Sequence, residues 1–170
     1  MSDIPANRVL VAFGSNLGDR ERAINTALHR LERLSTGYFA CSSWWWSAPT
    51  QMAAGAGQFI NGVVALDTLL APLELLRALQ RIERDSGRPL DHGFNESRIL
   101  DLDIIWYADR TIELPELVIP HPRALERGFV LVPMWELMPN LMRPGQARPL
   151  AALIADLPAD TLSRWSTAEE

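Results

Sequence analysis

The sequence predicts an α+β fold, with a ferredoxin-like βαββαβ core, a mainly antiparallel sheet and additional C-terminal helices. Two observations support this prediction. Strand-like apolar stretches and segments of helical periodicity follow one another in the order β-α-β-β-α-β, and apolar helical segments come after them. The chain has 170 residues and is 48% apolar, which is enough for one core, so we expect a single domain over residues 1–170.

Three strands and the first helix are predicted before residue 70. The stretch VLVAF at 9–13 is followed by Gly14, as expected of a strand that ends in a turn. A helix is predicted from Asp19, a suitable N-cap, because the apolar residues after it recur at helical spacing. The stretches at 38–46 and 57–68 predict the second and third strands, joined by a loop of small residues.

The second helix and the fourth strand complete the predicted core. The helix begins at Pro72, because proline suits a first helical turn, and Gly87 marks its end. The polar segment 88–97 lacks a core pattern, and the strand SRILDLDIIWY at 97–107 follows it. Beyond it we expect a short strand in ADRTIEL, a turn or short helix in HPRALERGF, a helix in VLVPMWELM, and a tail with one short helix and a frayed end.

Charge and composition narrow the possible partners. The net charge of −5 provides no basic field for nucleic acid or an anionic membrane surface, so small molecules are the expected partners. The single cysteine, Cys41, cannot form an internal disulfide, and no apolar run is long enough for a signal peptide or a membrane span. These features predict a cytoplasmic protein and leave its oligomeric state open.

Two aspartates lie one residue apart in the fourth predicted strand. Because alternate residues of a strand share a face, Asp101 and Asp103 are expected to point to the same side. The other side would carry four apolar residues, Leu100, Leu102, Ile104 and Trp106. Carboxylates about 6 Å apart repel by roughly 3 kcal/mol at an effective dielectric constant of about 20, so a positive partner is expected. That partner is either an arginine such as Arg98 or a hard cation such as Mg²⁺, unless both aspartates face solvent.

Three other segments carry residues suited to ligand binding. Phe59 and Asn61 share a strand face, which suits a flat heteroaromatic ligand, although a core Phe beside a strand-end Asn gives the same pattern. Gln80 and Glu83 lie three residues apart on one helical face, as they also would at a solvated helix end. The segment HPRALERGF is either a solvated turn or a source of cationic and aromatic contacts, through His121, Arg123, Arg127 and Phe129.

The segment FGSNLGDR has the glycines of a phosphate-binding loop but matches neither G-x-x-x-x-G-K-[ST] nor G-x-G-x-x-G. It is better explained as a tight turn from the first strand into the first helix. A nucleotide bound by this chain would therefore not be held by a P-loop.

With these segments assembled, the chain resembles the 6-hydroxymethyl-7,8-dihydropterin pyrophosphokinase family of folate biosynthesis. The resemblance rests on FGSNLGD, LQRIE, SRILDLDI, IPHPRALERGF and PMWEL, and it extends over nearly the whole chain. It implies an enzyme that binds ATP and a pterin together and transfers a pyrophosphoryl group to the pterin hydroxymethyl oxygen, releasing AMP.

The resemblance also implies roles for individual residues. Asp101 and Asp103 would bind Mg²⁺, two ions in all, against the ATP phosphates, and the catalytic set would add Arg88 and Arg98. The pterin would lie between two aromatic rings and next to an amide, from Phe59, Phe129 and Asn61. The nucleotide site would be formed by Gln80, Glu83, Arg98, Ile104, His121 and Arg127.

The chain departs from the family pattern in the segment 88–97. Leu90 stands where the family has a second arginine, Asn95 falls at an aromatic position, and Ser97 replaces a proline. The segment near 48–51 also lacks part of the expected Pro-Pro-x-Gly pattern. Two alternatives therefore stay open: a divergent paralogue that only binds a pterin or nucleotide, and a Mg²⁺-dependent transferase acting on another pterin.

Overall fold

The computed structural model describes residues 7–48, 57–87, 98–142, 148–158 and 162–166. The elements of the predicted core are β1 (Asn7–Ser15), α1 (Arg20–Glu32), β2 (Phe39–Cys41), β3 (Trp45–Ser47), β4 (Phe59–Thr68), α2 (Pro72–Asp85) and β5 (Asp101–Tyr107). The elements that follow are β6 (Ile112–Leu114), β7 (Leu117–Ile119), a 3-10 helix (Ala124–Glu126), α3 (Gly128–Leu137), α4 (Leu150–Ala155) and β8 (Leu162–Arg164).

One antiparallel sheet carries the fold. Its strands lie in the order β5-β1-β4-β3-β8, and β2 pairs with β4 beside β3. The first strand is therefore central, with the last strand of the βαββαβ unit on one side and the third on the other. The predicted α+β, ferredoxin-like arrangement is confirmed, and β6 and β7 form a separate two-stranded hairpin.

Local signals in the sequence set the helix ends. The Asp19 side chain accepts a hydrogen bond of 3.1 Å from the Arg22 N–H and so caps α1, as predicted. The predicted proline begins α2, where the missing N–H of Pro72 is no loss. Gly87, just after this helix, has a φ of +99°, a conformation that favours glycine.

The predicted second strand is wrong in one respect, because it is two short strands, β2 and β3, separated by residues 42–44. The Ser42 N–H donates to the Val63 carbonyl over 2.9 Å, while the Ser42 hydroxyl accepts from the Val63 N–H over 2.9 Å. A side chain thus takes a hydrogen bond that a regular ladder would give to main chain, and the strand is interrupted there.

The prediction that Trp106 points to the same side of the sheet as Leu102 and Ile104 is also wrong. The pairing of β5 with β1 shifts between Leu10 and Val11, where Ile105 is the extra residue of a β-bulge. Ile104 packs with the apolar cluster under α1 and α2, whereas Ile105 and Trp106 both pack with the cluster under α3. The bulge therefore moves Trp106 to the side that also carries the two aspartates.

The two faces of the sheet bury different helices. Between the sheet and α1 and α2 lie residues such as Val11, Phe13 and Leu75, and between the sheet and α3 and α4 lie others such as Leu131. A β-carbon at Gly62 would lie 2.3 Å from Phe13 Cζ, so glycine is needed under that ring. Both faces of the central strands are therefore covered over most of their length.

The tail contains a strand that the sequence analysis did not predict. The strand β8 pairs with β3, and the Trp165 ring lies 4.9 Å from that of Trp44. The short helix expected in the tail is present as α4. Among the described residues, no helix is both long and apolar enough to cross a membrane.

Candidate active site

Neighbouring strands bring Asp101 and Asn61 onto one face of the sheet. Asp101 is paired with Gly14 of β1, and Gly14 is paired with Asn61 of β4, so the three residues form a row across the strands. Directly opposite residues of antiparallel strands point to the same side, and strands lie about 5 Å apart. The stems of Asp101 and Asn61 are therefore about 10 Å apart. We call this side, with Asp103 one step along β5, the aspartate face.

Gly14 keeps the middle of this row open. A β-carbon there would lie 3.1 Å from the Asn61 Oδ1 atom and 3.5 Å from Phe59 Cδ1. A β-carbon there would therefore crowd the Asn61 Oδ1 atom and fill the space next to the Phe59 ring. The absence of a side chain at Gly14 leaves space on the aspartate face between a carboxylate and an amide.

The two aspartates differ in their surroundings. Asp101 pairs with Arg98, with 3.0 Å between its Oδ1 and the arginine Nη1, so the arginine partner considered from the sequence is present. The pKa of Asp103 is raised to about 7, first by burial and then by the charges of Asp101 and Glu83, whereas the charges of Arg98 and Arg127 lower it. Asp103 is therefore not a solvated surface carboxylate.

Glu83 adds a negative charge near Asp103 from the other side of β5. It is 7% exposed, and its Oε1 accepts a hydrogen bond of 2.8 Å from the Leu102 main-chain N–H. A solvated helix end does not describe this position, because the carboxylate is held against the outer edge of the sheet. Gln80, three residues earlier on α2, is half-buried.

His121 is positioned by the bulge in β5. Its main-chain N–H donates to the carbonyl of Ile105, the extra residue, over 3.1 Å. Its Nδ1 accepts a hydrogen bond of 3.2 Å from the Arg123 N–H, which leaves the proton of the neutral ring on Nε2. Burial lowers the pKa of His121, and Arg127 lowers it further, while Asp101 opposes the shift. The ring is therefore a neutral donor near neutral pH.

The aromatic residues predicted for the site lie on two different elements. Phe59 begins β4, and Phe129 is the second residue of α3, where it packs against the apolar cluster on the aspartate face. Both are half-buried. The Arg127 guanidinium lies 5.6 Å from the Phe129 ring centroid, so a cation and an aromatic face are presented together.

The amide of Asn61 is fixed by a residue that the sequence analysis did not single out. Asn61 Nδ2 donates to the Ser47 hydroxyl over 2.6 Å, and each of these two residues is 5% exposed. The signal that could have identified Ser47 is its pairing with Phe59, which places it on the aspartate face, but this register is not visible in the sequence.

Two of the remaining predicted positions are less informative. The side chain of Ile104 is 3% exposed within the core, so a nucleotide contact there would have to come from main-chain atoms. Arg88 lies outside the described residues, as do the departures from the family pattern at Leu90, Asn95 and Ser97.

The carboxylates of the aspartate face suit a magnesium site that has few protein ligands. Within the described part of the chain there is no group of three or more His, Cys, Asp or Glu side chains placed to hold a metal ion. Two neighbouring carboxylates, Asp101 and Asp103, are what the aspartate face offers. Mg²⁺ commonly takes only one or two protein carboxylates and fills its shell with water and substrate phosphates, so this donor set suits it.

Comparison with known proteins points to one family. A family model described as 7,8-dihydro-6-hydroxymethylpterin-pyrophosphokinase (HPPK) matches residues 10–139. The 2-amino-4-hydroxy-6-hydroxymethyldihydropteridine pyrophosphokinase of Pseudomonas aeruginosa is 43% identical over 158 residues, which cover 92% of this chain and 96% of the relative. The corresponding protein of Synechocystis is 36% identical and is covered over 80% of its length.

Longer proteins contain a similar segment. The folic acid synthesis protein fol1 of Schizosaccharomyces pombe is 34% identical over 157 residues, but the match covers 21% of that protein. A crystal structure of Plasmodium falciparum HPPK-DHPS with SDX-DHP superposes with a TM-score of 0.71 at 14% identity, covering 91% of this chain and 45% of that one. At this identity the likeness shows the fold alone, and this chain spans less than half of those structures.

Proposed function

The chain belongs to the 7,8-dihydro-6-hydroxymethylpterin-pyrophosphokinase family, and we propose that the aspartate face carries its reaction. The protein is an ATP-dependent diphosphotransferase of folate biosynthesis. It transfers pyrophosphate from ATP to the hydroxymethyl group of 6-hydroxymethyl-7,8-dihydropterin, giving AMP and the pterin diphosphate. Its substrates are small molecules, and the cytoplasmic location expected from the sequence is part of this proposal.

The observation that carries the proposed site is the row from Asp101 through Gly14 to Asn61. It puts a group suited to metal-bound phosphate and a group suited to a pterin edge on one surface, with open space between them. Two substrates that must react with each other need such a shared surface, because the reacting atoms have to come within about 3.5 Å.

In this proposal Asp101 and Asp103 hold Mg²⁺, two ions as the family resemblance implies. Metal bound there would neutralise charge on the ATP phosphates and help to hold them in place. Burial, and after it the negative charges of Asp101 and Glu83, raise the pKa of Asp103 to about 7, so its ionised form is disfavoured in the ligand-free protein. A bound cation would favour the ionised form.

The nucleotide side of the proposed site is cationic. The positive charges of Arg98 and Arg127 both lower the pKa of Asp103, which supports a location of both arginines near this carboxylate. We assign them to the triphosphate, with the neutral His121 donating from Nε2 to a phosphate or ribose oxygen. Gln80, Glu83 and the main chain at Ile104 complete the proposed nucleotide contacts, and Arg88 is proposed as a further phosphate contact.

The pterin side of the proposed site is aromatic and polar. We assign the ring faces of the pterin to Phe59 and Phe129, and its hydrogen-bonding edge to Asn61. Because the Ser47 hydroxyl accepts a hydrogen bond from Asn61 Nδ2, the amide is held in one orientation. The Asn61 Oδ1 atom, which faces the space above Gly14, is then an acceptor for the donor groups of the pterin.

Pyrophosphoryl transfer depends on substrate positioning and charge neutralisation more than on covalent catalysis. The pterin hydroxymethyl oxygen forms a bond to the β-phosphorus of ATP, and the bond from that phosphorus to the α–β bridging oxygen breaks. AMP leaves with the electron pair, and the hydroxyl proton is released. The roles of the chain are to hold the pterin through Asn61 and the two rings and to stabilise the developing negative charge through Arg98 and Arg127.

The test is AMP formation from ATP and 6-hydroxymethyl-7,8-dihydropterin in the presence of Mg²⁺. We expect AMP only when all three are present, loss of activity in Asp103→Asn, and native activity in Asp109→Asn, a control at an exposed aspartate. No AMP above background at high enzyme concentration would contradict the proposal. The family match and the named relatives support the pyrophosphokinase and give no support to either alternative raised by the sequence.

A further inference from the structure

The turn after β1 contains a buried asparagine with contacts to two distant segments. Asn16 is 5% exposed and lies directly beyond the last residue of β1, in the FGSNLGDR segment. The turn interpretation of this segment is confirmed, because Gly18 has a φ of +70° and Asp19 caps α1. A tight turn does not by itself explain why its first residue is a buried amide.

The side chain of Asn16 joins residues that are far apart in the chain. Its Oδ1 accepts a hydrogen bond of 2.7 Å from the Arg98 N–H, and its Nδ2 donates to the Gly57 carbonyl over 3.4 Å. Its own main-chain N–H donates to the Arg98 carbonyl over 3.0 Å. One residue thus holds the segment that leads into β4 and the segment that leads into β5.

Close packing supports the contact with Gly57. A β-carbon at Gly57 would lie 3.1 Å from the Asn16 carbonyl oxygen, so the two main chains approach closely. The adjacent residue of the same segment is held as well, because Arg20 donates to the Gln58 carbonyl over 2.9 Å. The guanidinium of Arg20 lies 4.9 Å from the Trp46 ring centroid. The entry to β4 is therefore fixed from the side of the turn.

These contacts act where the strand ladders have ended. The pairing of β1 with β4 ends at Ser15 and that with β5 at Gly14, whereas Arg98 precedes the first residue of β5 by three positions. The ladders fix Asp101 against Asn61, but they do not fix Arg98. Asn16 connects the chain segments beyond the last ladder pairs. Its side chain holds the main chain of Arg98 next to the segment that leads into β4, the strand that carries Phe59.

We propose that Asn16 is a positioning residue for pyrophosphoryl transfer, which holds Arg98 in place relative to the pterin-binding strand. This inference rests on the proposed function, in which Arg98 stabilises charge on the phosphates and Phe59 and Asn61 bind the pterin. Each substrate keeps most of its own contacts when the Asn16 side chain is lost, but the main chain of Arg98 loses its side-chain link to the segment that leads into the pterin-binding strand. A misplacement of about 1 Å can lower a rate by about a hundredfold.

The test compares kcat with separate binding constants. In Asn16→Ala we expect kcat to fall by about 10- to 100-fold. The Kd of a non-hydrolysable ATP analogue with Mg²⁺, and the Kd of the pterin, should each stay within about threefold of the native values. Asn25→Ala is the matched control, because Asn25 is exposed on α1 and its substitution should leave kcat and both Kd values unchanged.

A second variant keeps the test decisive should Asn16→Ala not fold. Asn16→Asp retains an oxygen that can accept the Arg98 N–H but has no N–H for the Gly57 carbonyl, so it should fold and still lose kcat. Native kcat in the folded variant, or equal weakening of both Kd values with unchanged kcat, would overturn the inference. If the native protein itself forms no AMP, the proposed function fails. If the native protein is active and the Asn16 variants have the same kcat, this inference alone is rejected.

Discussion

The Glu83 carboxylate accepts a 2.8 Å hydrogen bond from the Leu102 main-chain N–H, between the two aspartates of β5. Among the described strands β5 is an edge strand, since β1 is its one partner in the main sheet, and Glu83 covers a main-chain donor on its open side. The same contact brings a third negative charge close to Asp101 and Asp103. Glu83 therefore connects the stability of this edge to the electrostatics of the aspartate face.

Substitutions at Glu83 should separate these two effects. Glu83→Gln keeps an oxygen acceptor for Leu102 and removes a charge that repels Asp103, so its free energy of unfolding should be equal to or above native. Glu83→Ala removes the acceptor and should lower that free energy by about 1–3 kcal/mol. Urea denaturation of both variants, with Glu116→Ala as a control at an exposed glutamate, measures this. If Glu83→Ala is as stable as the native protein, the hydrogen bond to Leu102 has no net stabilising effect.

Asp103→Asn should stabilise the ligand-free protein at high pH. The folded-state pKa of about 7 lies above the ordinary value of 3.8, so the folded protein holds this proton more tightly than the unfolded chain. Stability is therefore lost as the pH rises from about 4 to about 7, and the full loss persists above that. The variant lacks this loss, so its gain over native should be largest near pH 8 and should shrink near pH 4.

The same denaturation experiment on Asp101→Asn provides a comparison with Asp103→Asn. Asp101→Asn relieves repulsion with Asp103 but also removes the ion pair with Arg98, so its gain should be smaller. Added Mg²⁺ and an ATP analogue should raise the melting temperature of the native protein more than that of Asp103→Asn. A ligand-free Asp103→Asn that is clearly less stable than native at pH 8 would show that this carboxylate is structural.

The sequence predicted those features that depend on local pattern. The alternation of Asp101 and Asp103 needs only two residues of strand geometry, and the Asp19 cap and Pro72 need only the adjacent turn. These predictions agree with the structure because few distant contacts compete with them. The order of strands and helices follows from the same local signals.

Features that depend on pairing between distant strands were not predicted. The side of Trp106 is set by a bulge that exists only in the pairing of β5 with β1. The break at Ser42 depends on a hydrogen bond to Val63, and β8 is too short to be recognised without its partner β3. Helical spacing placed Gln80 and Glu83 together but could not show that this side of α2 meets the edge of β5.

Gly14→Ala should weaken pterin binding selectively. The new methyl group would lie 3.1 Å from Asn61 Oδ1 and 3.5 Å from Phe59 Cδ1, in the space proposed for the substrate. We expect the Kd of the pterin to rise by about tenfold or more, equivalent to about 1.4 kcal/mol, while the Kd of the ATP analogue changes little. Calorimetric titration measures both.

Gly62→Ala provides the contrast to this prediction. Its methyl group would lie 2.3 Å from Phe13 Cζ on the opposite face of the sheet, so it should lower the melting temperature without a selective effect on the pterin. Equal weakening of ATP-analogue and pterin binding by Gly14→Ala would show that the glycine serves the fold rather than the substrate space.

His121 should remain neutral through the physiological pH range. Burial, then the charge of Arg127, lowers its pKa below the ordinary 6.5, with Asp101 acting in the opposite direction. The unfolded chain therefore binds a proton at His121 more readily than the folded protein does. The contribution of His121 to the free energy of unfolding is lost as the pH falls through 6.5. An NMR titration of the ring should show a pKa below 6.5 and Nε2 as the protonated nitrogen.

Removal of Arg127 tests the cause of that shift. Arg127→Ala should raise the pKa of His121, because a neighbouring positive charge that opposes protonation is gone. Arg33→Ala, at an exposed position at the end of α1, should leave it unchanged. A titration of His121 that is the same in native protein and Arg127→Ala would contradict the assignment of both groups to one site.

Ser47 should affect the pterin through Asn61. Ser47→Ala leaves the buried Asn61 N–H without the acceptor now 2.6 Å away, which should lower the free energy of unfolding by about 1–3 kcal/mol. The freed amide can rotate, so the Kd of the pterin should rise severalfold, whereas that of the ATP analogue should not. Ser47→Thr keeps the hydroxyl and should retain native pterin binding. If Ser47→Ala binds the pterin as the native protein does, the orientation of the Asn61 amide does not depend on this hydrogen bond.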